Sequence, residues 1–161
     1  MNNRRADIIE KLERGAGETI AFFKALSPAE LSVRVYDEEV QWTGRQVLAH
    51  FITVEGSMQR LFKNILAGGP GTPEDFDLER FNRTQPAKLD GLSIDELIDR
   101  FTIVRRETGA IVEQMEEADI DRTGRHVFLG NGNLERFVRW AYKHARHHED
   151  DVRNALKMNN D

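Results

Sequence analysis

Two histidines four residues apart near the end of the chain, His144 and His148, are the side chains whose type and spacing point most directly to chemistry. On a helix, an i, i+4 pair brings both imidazoles to one face, about one turn apart. A first-row metal accepts imidazole nitrogens at about 2.0–2.1 Å, so such a pair can chelate one. Direction decides whether the pair faces inward. With Leu134 as reference and about 100° per residue, Val138, Ala141, Ala145, Val152 and Leu156 fall within roughly 40° of it. His148 falls about 40° to one side, inside this stripe, and His144 about 80° off, at its edge. His147 falls about 140° off, toward solvent.

A second element supplies a third imidazole. His50 falls about 60° from Val47, at the edge of a stripe that contains Phe51, Met58 and Ile65. Three protein ligands would leave a position open for water or substrate, the arrangement of catalytic metal sites. The alternatives are plain ones. An inward histidine often serves as a hydrogen-bonded core or boundary residue, and the run from Lys143 to His148 can be read as a basic surface patch. The inward direction of His144 and His148 argues against the patch for those two. Glu55, on the apolar stripe of its helix, and Asp151, three residues after His148, are candidate acceptors for an imidazole N–H. An exposed position for Glu55 and a surface ion pair for Asp151 are the competing fates. Trp42, Trp140 and Tyr142 could line a pocket or simply pack. His126, beside Arg125 in a connection, is placed outside the site.

The elements that must hold these residues read as four long helices. All four prolines (Pro28, Pro70, Pro73 and Pro86) fall in apparent connections, which leaves long helix-permitting segments between them. The first helix is expected over about residues 5–26, with Ser27-Pro28 ending it and opening a short turn. Within residues 32–42, Ser32 to Tyr36 alternate like a strand, but one isolated strand has no partner, so an extended connection leading to Trp42 is expected. Thr43 caps the second helix, about residues 44–67, which Gly68-Gly69 stops. Residues 70–92 form a long crossover whose Phe76, Leu78 and Phe81 imply packing and a short helix. Such a crossover joins helices that are not antiparallel neighbours. Ser93 and Glu96 form a capping box that opens the third helix, about residues 94–117. Residues 118–132 read as a polar, turn-rich connection, and Asn133 caps the fourth helix, about residues 134–157. No β pattern competes. The expected architecture is an all-α four-helix bundle, one domain over 1–161, with a long crossover between helices two and three.

Composition narrows the function classes. A net charge of −5 argues against a nucleic-acid binder, which needs a concentrated basic face. The absence of cysteine removes disulfides, thiolate metal sites and a cysteine nucleophile. The polar start from Met1 to Asp7 does not read as a signal peptide, and no run approaches about 18 apolar residues, so no membrane span is expected. Walker-type loops, Gly-x-Ser-x-Gly elbows, His-Glu-x-x-His motifs and the Glu-x-x-His pairs of di-iron bundles are all missing.

Three stretches resemble the DinB/YfiT-like superfamily: Thr43 to His50 opening helix two, the crossover from Glu74 through Asn82 to Leu97, and Tyr142 to His148 in helix four. The resemblance spans nearly the whole chain on short motifs. It implies a four-helix bundle with a divalent metal held by one histidine on helix two and a His-x-x-x-His pair on helix four. Carried onto this chain, these are His50, His144 and His148. It further implies the chemistry of metal-dependent transferases and isomerases that use low-molecular-weight thiols such as mycothiol, bacillithiol or glutathione.

The leading expectation is therefore a cytoplasmic homodimer that binds Zn²⁺, Ni²⁺ or Fe²⁺. It would act on a small-molecule substrate with a thiol cosubstrate, as a transferase or isomerase, or with water, as a hydrolase. Three neutral imidazoles do not discriminate among these metals. A non-enzymatic bundle that binds or sequesters a small molecule, and a dimeric helical interaction module, stand as alternatives. Neither nucleic acid nor membrane is an expected partner, and no catalytic base or nucleophile is identified.

Overall fold

The computed structural model describes residues 3–160; Met1 and Asn2 of the polar start, and the terminal Asp161, lie outside the described residues. Four long helices dominate: α1 (Arg4–Lys24), α3 (Gly44–Leu66), α5 (Ile94–Gln114) and α6 (Leu134–Asn160). Short helices α2 (Pro28–Leu31) and α4 (Leu78–Thr84) sit in the connections, with 3₁₀ turns at Pro86–Leu89 and Glu117–Asp121. Among the described residues no helix is long and apolar enough to cross a membrane.

The starts of the helices follow their capping side chains. Ser27 and Glu30 exchange both capping-box bonds at α2, and Ser93 and Glu96 do so at α5. Asn133 Oδ1 accepts from the Arg136 N–H at 3.0 Å, so the expected cap of α6 is in place. Each such bond satisfies an N–H that the helix itself leaves free.

Cross-helix contacts fix the directions. Phe51 faces Phe101, Glu55 faces Arg105 and Gln59 faces Thr108, so numbers rise together and α3 runs parallel to α5. Asp7 meets Arg139 and Thr19 meets Glu149, so α1 runs parallel to α6. Arg5 reaches the carbonyl of Met115 while Arg105 reaches that of Leu12, so α1 and α5 are antiparallel. Parallel helices cannot be joined by a tight turn. The crossover between α3 and α5 is the consequence, as the sequence implies.

The interior divides into two apolar clusters, one around Phe62, Leu134 and Phe137 and the other around Phe23, Phe51 and Phe101. A buried polar layer lies among them. Arg105 Nε donates to Glu55 Oε1 at 2.7 Å, and Gln59 Nε2 donates to the Val104 carbonyl at 2.7 Å and to Thr108 Oγ1 at 3.1 Å.

Two connections differ from expectation. The connection expected over residues 118–132 folds, together with Asn133, as a β-hairpin, β1 (Thr123–His126) against β2 (Gly130–Asn133), where no β structure is expected from the sequence. Two four-residue strands, Thr-Gly-Arg-His and Gly-Asn-Gly-Asn, hold no apolar side chain and so no alternating pattern to betray them. The segment after α2 is extended, as expected, but it does have a partner: Arg34 bridges to Thr43, and the Val35 N–H donates to the Trp42 carbonyl at 2.8 Å. The chain folds back on itself, so the partner is the segment's own end.

The hairpin also anchors the crossover. Gly71 pairs with Arg125, and Thr72 N–H donates to the Arg125 carbonyl at 2.8 Å. Gly71 has φ +94°, and a Cβ there would lie 2.5 Å from backbone atoms of Arg125. Only glycine meets both conditions.

Candidate metal centre and its cavity

His50 on α3 and His144 and His148 on α6 come together as the angular count predicts. Their candidate ligand nitrogens all lie within 4.8 Å of one another. His50 Nε2 stands 3.2 Å from His144 Nε2, and His148 Nε2 stands 2.9 Å from the same atom. His147 is not part of this cluster; its side chain is 76% exposed at the edge of the cavity beside it.

Each imidazole has its own support. His50 lies 4.4 Å from the Trp42 ring, and His144 stacks on Trp140 at 4.2 Å. His148 Nδ1 contacts the Tyr36 hydroxyl at 2.6 Å, and that hydroxyl donates to Asp151 Oδ2 at 2.5 Å. Burial and the hydrogen bond to Asp151 push the Tyr36 phenol up from its ordinary value, so it keeps its proton.

Burial also keeps the imidazoles neutral. It pushes His50 down to about 3, with the His148 charge adding to the effect. It pushes His148 down to about 4 against the opposing pull of Asp151, and it lowers His144 further still, with help from the neighbouring histidines. Neutral imidazole is the form that binds a metal.

The donor set fits a cation. Two nitrogens bound to one tetrahedral ion at 2.0–2.1 Å would be about 3.3 Å apart, close to the two spacings observed. The same nitrogens serve each other poorly. His144 Nε2 faces two partners, and it carries either one hydrogen or one lone pair, so it cannot satisfy both contacts. A cation at the centre would accept all three lone pairs at once. His50 Nδ1 is buried and has no hydrogen-bond partner among the described residues, so on that side its ring is held by packing, with Trp42 against it.

A cavity of about 560 Å³ opens beside the three histidines. Val54, Met58 and Leu61 of α3 line its floor, Phe76 and Phe81 of the crossover form one wall, and Phe128 at the hairpin tip forms another. Phe128 is 69% exposed, an apolar ring left in solvent at the cavity mouth.

Several side chains stand elsewhere than the spacing suggested. Glu55 accepts from Arg105 in the bundle centre and is no acceptor for an imidazole. Its position on the apolar stripe reflects that ion pair. Arg105, although next to Arg106 in the sequence, is 4% exposed. Its phase with Phe101, Thr108 and Val112 was the available signal. Asp151 reaches His148 through Tyr36 and not directly, and it forms no pair with Lys or Arg among the described residues. Trp42 and Trp140 line the cavity; Tyr142 does not. His126 is not in the three-histidine cluster, but it is 1% exposed and lines the same cavity. Its Nδ1 accepts from the Phe128 and Leu129 N–H groups at 3.0 and 3.1 Å, and its ring packs 4.7 Å from Trp140. Tyr36 had no sequence signal, since 112 residues separate it from His148.

The family model of the DinB superfamily matches residues 11–149. No curated protein matches the chain. Among solved structures, YfiT from Bacillus subtilis, described as "a probable metal-dependent hydrolase with an unusual four-helix bundle topology", superposes with a TM-score of 0.78 at 15% identity, covering 98% of this chain and 89% of that one. A mycothiol-dependent maleylpyruvate isomerase superposes at 0.75 and 13% identity over 94% of this chain and 63% of its own length. The colibactin self-resistance protein ClbS, in complex with double-stranded DNA, superposes at 0.69 and 11% identity over 95% of each chain. At these identities the likeness establishes the shared fold alone.

Proposed function

The chain belongs to the DinB superfamily, and from that premise we propose that it is a divalent-metal protein with His50, His144 and His148 as ligands, acting as a metal-dependent enzyme on a small apolar molecule. The observation that carries the reading is the approach of three Nε2 atoms from two helices, at spacings that suit one ion better than they suit each other.

A divalent ion there would supply Lewis-acid activation of a thiol or water reaching its open position. The chain's own residues do the rest. Trp42 and Trp140 hold two of the rings, so the ligands need little reordering. The apolar side chains of the cavity bind the body of the substrate and exclude water around the histidines. Lys143 and His147, both exposed and lining the cavity, offer donors to a polar or anionic group on it. A thiol cosubstrate is the finer reading, supported by analogy with the mycothiol-dependent neighbour. Zn²⁺, Ni²⁺ and Fe²⁺ suit the three imidazoles alike. The size and apolar lining of the cavity also support a second reading, a bundle that binds a small molecule without transforming it.

The test uses untagged protein incubated separately with Zn²⁺, Ni²⁺ and Fe²⁺. One bound ion per chain is expected, with loss of that ion in a His144→Ala/His148→Ala variant. No uptake of any of the three overturns the proposal. With metal bound, a screen of thiols against electrophiles separates enzyme from binding protein: turnover supports the first, and ligand-dependent thermal stabilisation without turnover the second.

A further inference from the structure

Two residues outside the three-histidine cluster bear on which nitrogen His148 offers. Tyr36 comes from the extended segment before α3, and Asp151 follows His148 on α6. The Tyr36 hydroxyl lies 2.6 Å from His148 Nδ1 and 2.5 Å from Asp151 Oδ2. A phenol has one hydrogen, and a carboxylate only accepts. The Tyr36 hydrogen therefore goes to Asp151. The contact with His148 then has one consistent form, in which Nδ1–H donates to the tyrosine oxygen. A neutral imidazole with its hydrogen on Nδ1 carries its lone pair on Nε2, the atom that faces His144 Nε2 at 2.9 Å.

We infer that Asp151 and Tyr36 are positioning residues that fix His148 as the Nδ1–H tautomer, and so present its Nε2 lone pair to a divalent cation. The cation comes from the function proposed above; the tautomer is a property of the ion-free chain. Carboxylates usually orient a metal-binding histidine by direct contact. Here the carboxylate works through a phenol supplied by a different part of the chain. Tyr36 is held in place by the fold-back that joins Val35 to Trp42, and its ring lies 6.3 Å from the Trp42 ring that supports His50. One short segment thus orients ligands on both α3 and α6. The other two histidines have no such control: His50 Nδ1 has no hydrogen-bond partner among the described residues, and His144 rests on its stack with Trp140.

The experiment is long-range ¹H–¹⁵N correlation on metal-free, ¹⁵N-labelled protein at neutral pH, with zinc titration against a competing chelator in parallel. The parent is expected to show His148 with its hydrogen on Nδ1. In Asp151→Ala the tyrosine hydroxyl loses its acceptor and donates to Nδ1, so His148 switches to the Nε2–H tautomer. In Tyr36→Phe the Nδ1–H loses its acceptor, and the Nε2–H form gains population. Both variants are expected to bind Zn²⁺ about 10- to 100-fold more weakly. A parent His148 with a bare Nδ1 overturns the inference, as does retention of the parent tautomer in both variants. If the parent takes up no zinc, the metal reading falls, while its His148 tautomer still decides this inference. Should Tyr36→Phe fail to fold, Asp151→Ala tests the same chain of bonds from its other end.

Discussion

Arg105 Nε donates to Glu55 Oε1 at 2.7 Å in the middle of the bundle, with side chains only 3% and 2% exposed. A charge buried to this degree is costly without its partner. Glu55→Ala should therefore lower stability by about 3–5 kcal/mol in urea unfolding. Replacing both residues with apolar ones of similar size, Glu55→Leu with Arg105→Met, should return the midpoint to the parent value or above it. A double variant as unstable as the single one would show that the pair serves packing and not charge compensation.

His126 gives a pH dependence with a defined sign. Burial pushes its pKa down to about 4, with the Arg136 charge adding to the effect, whereas the unfolded chain titrates near about 6.5. Below about pH 6.5 the unfolded chain takes up a proton that the native state refuses. Stability is thus complete above that pH and falls as pH drops toward about 4, by up to about 1.4 kcal/mol per pH unit for the one group. Glu149, raised by burial, acts in the opposite sense within the carboxylate range. His126→Gln keeps an acceptor for the Phe128 and Leu129 N–H groups and should make the loss between about pH 6.5 and 4 shallower in metal-free protein by the share of one group, while His50, His144 and His148, also lowered by burial, keep the rest of the slope. An unchanged slope would exclude His126 as a source.

Trp140 should matter through His144. The two rings stack at 4.2 Å, and His126 meets the indole edge-to-face at 4.7 Å. Aromatic pairs of this kind contribute about 0.5–1.5 kcal/mol beyond burial, which corresponds to roughly 2- to 12-fold in a binding constant. Trp140→Leu should weaken metal binding by that order, measured by chelator competition, without abolishing it. Unchanged affinity would mean that helix geometry alone places His144.

The legible parts of this molecule were those with local periodicity. The stripes of the long helices gave their phases, and the same angular count separated His144 and His148 from His147. The caps at Ser27, Ser93 and Asn133 are likewise local, and each is present. What escaped depends on contacts between distant segments. Tyr36 meets His148 only because the chain folds back at Trp42. The hairpin that buries His126 is too short and too polar to show a period of two. Glu55, a candidate acceptor for an imidazole with an exposed position as its alternative, meets neither fate: its partner is Arg105 on a parallel helix, which no local spacing reveals.

The central claim is that three histidine nitrogens hold one cation. Anomalous diffraction at the zinc edge, from crystals of untagged protein soaked in Zn²⁺, tests it most directly. One peak is expected, about 2.0–2.1 Å from Nε2 of His50, His144 and His148 together. A peak bound by only two of the three, one at another group of side chains, or none at all would contradict the account.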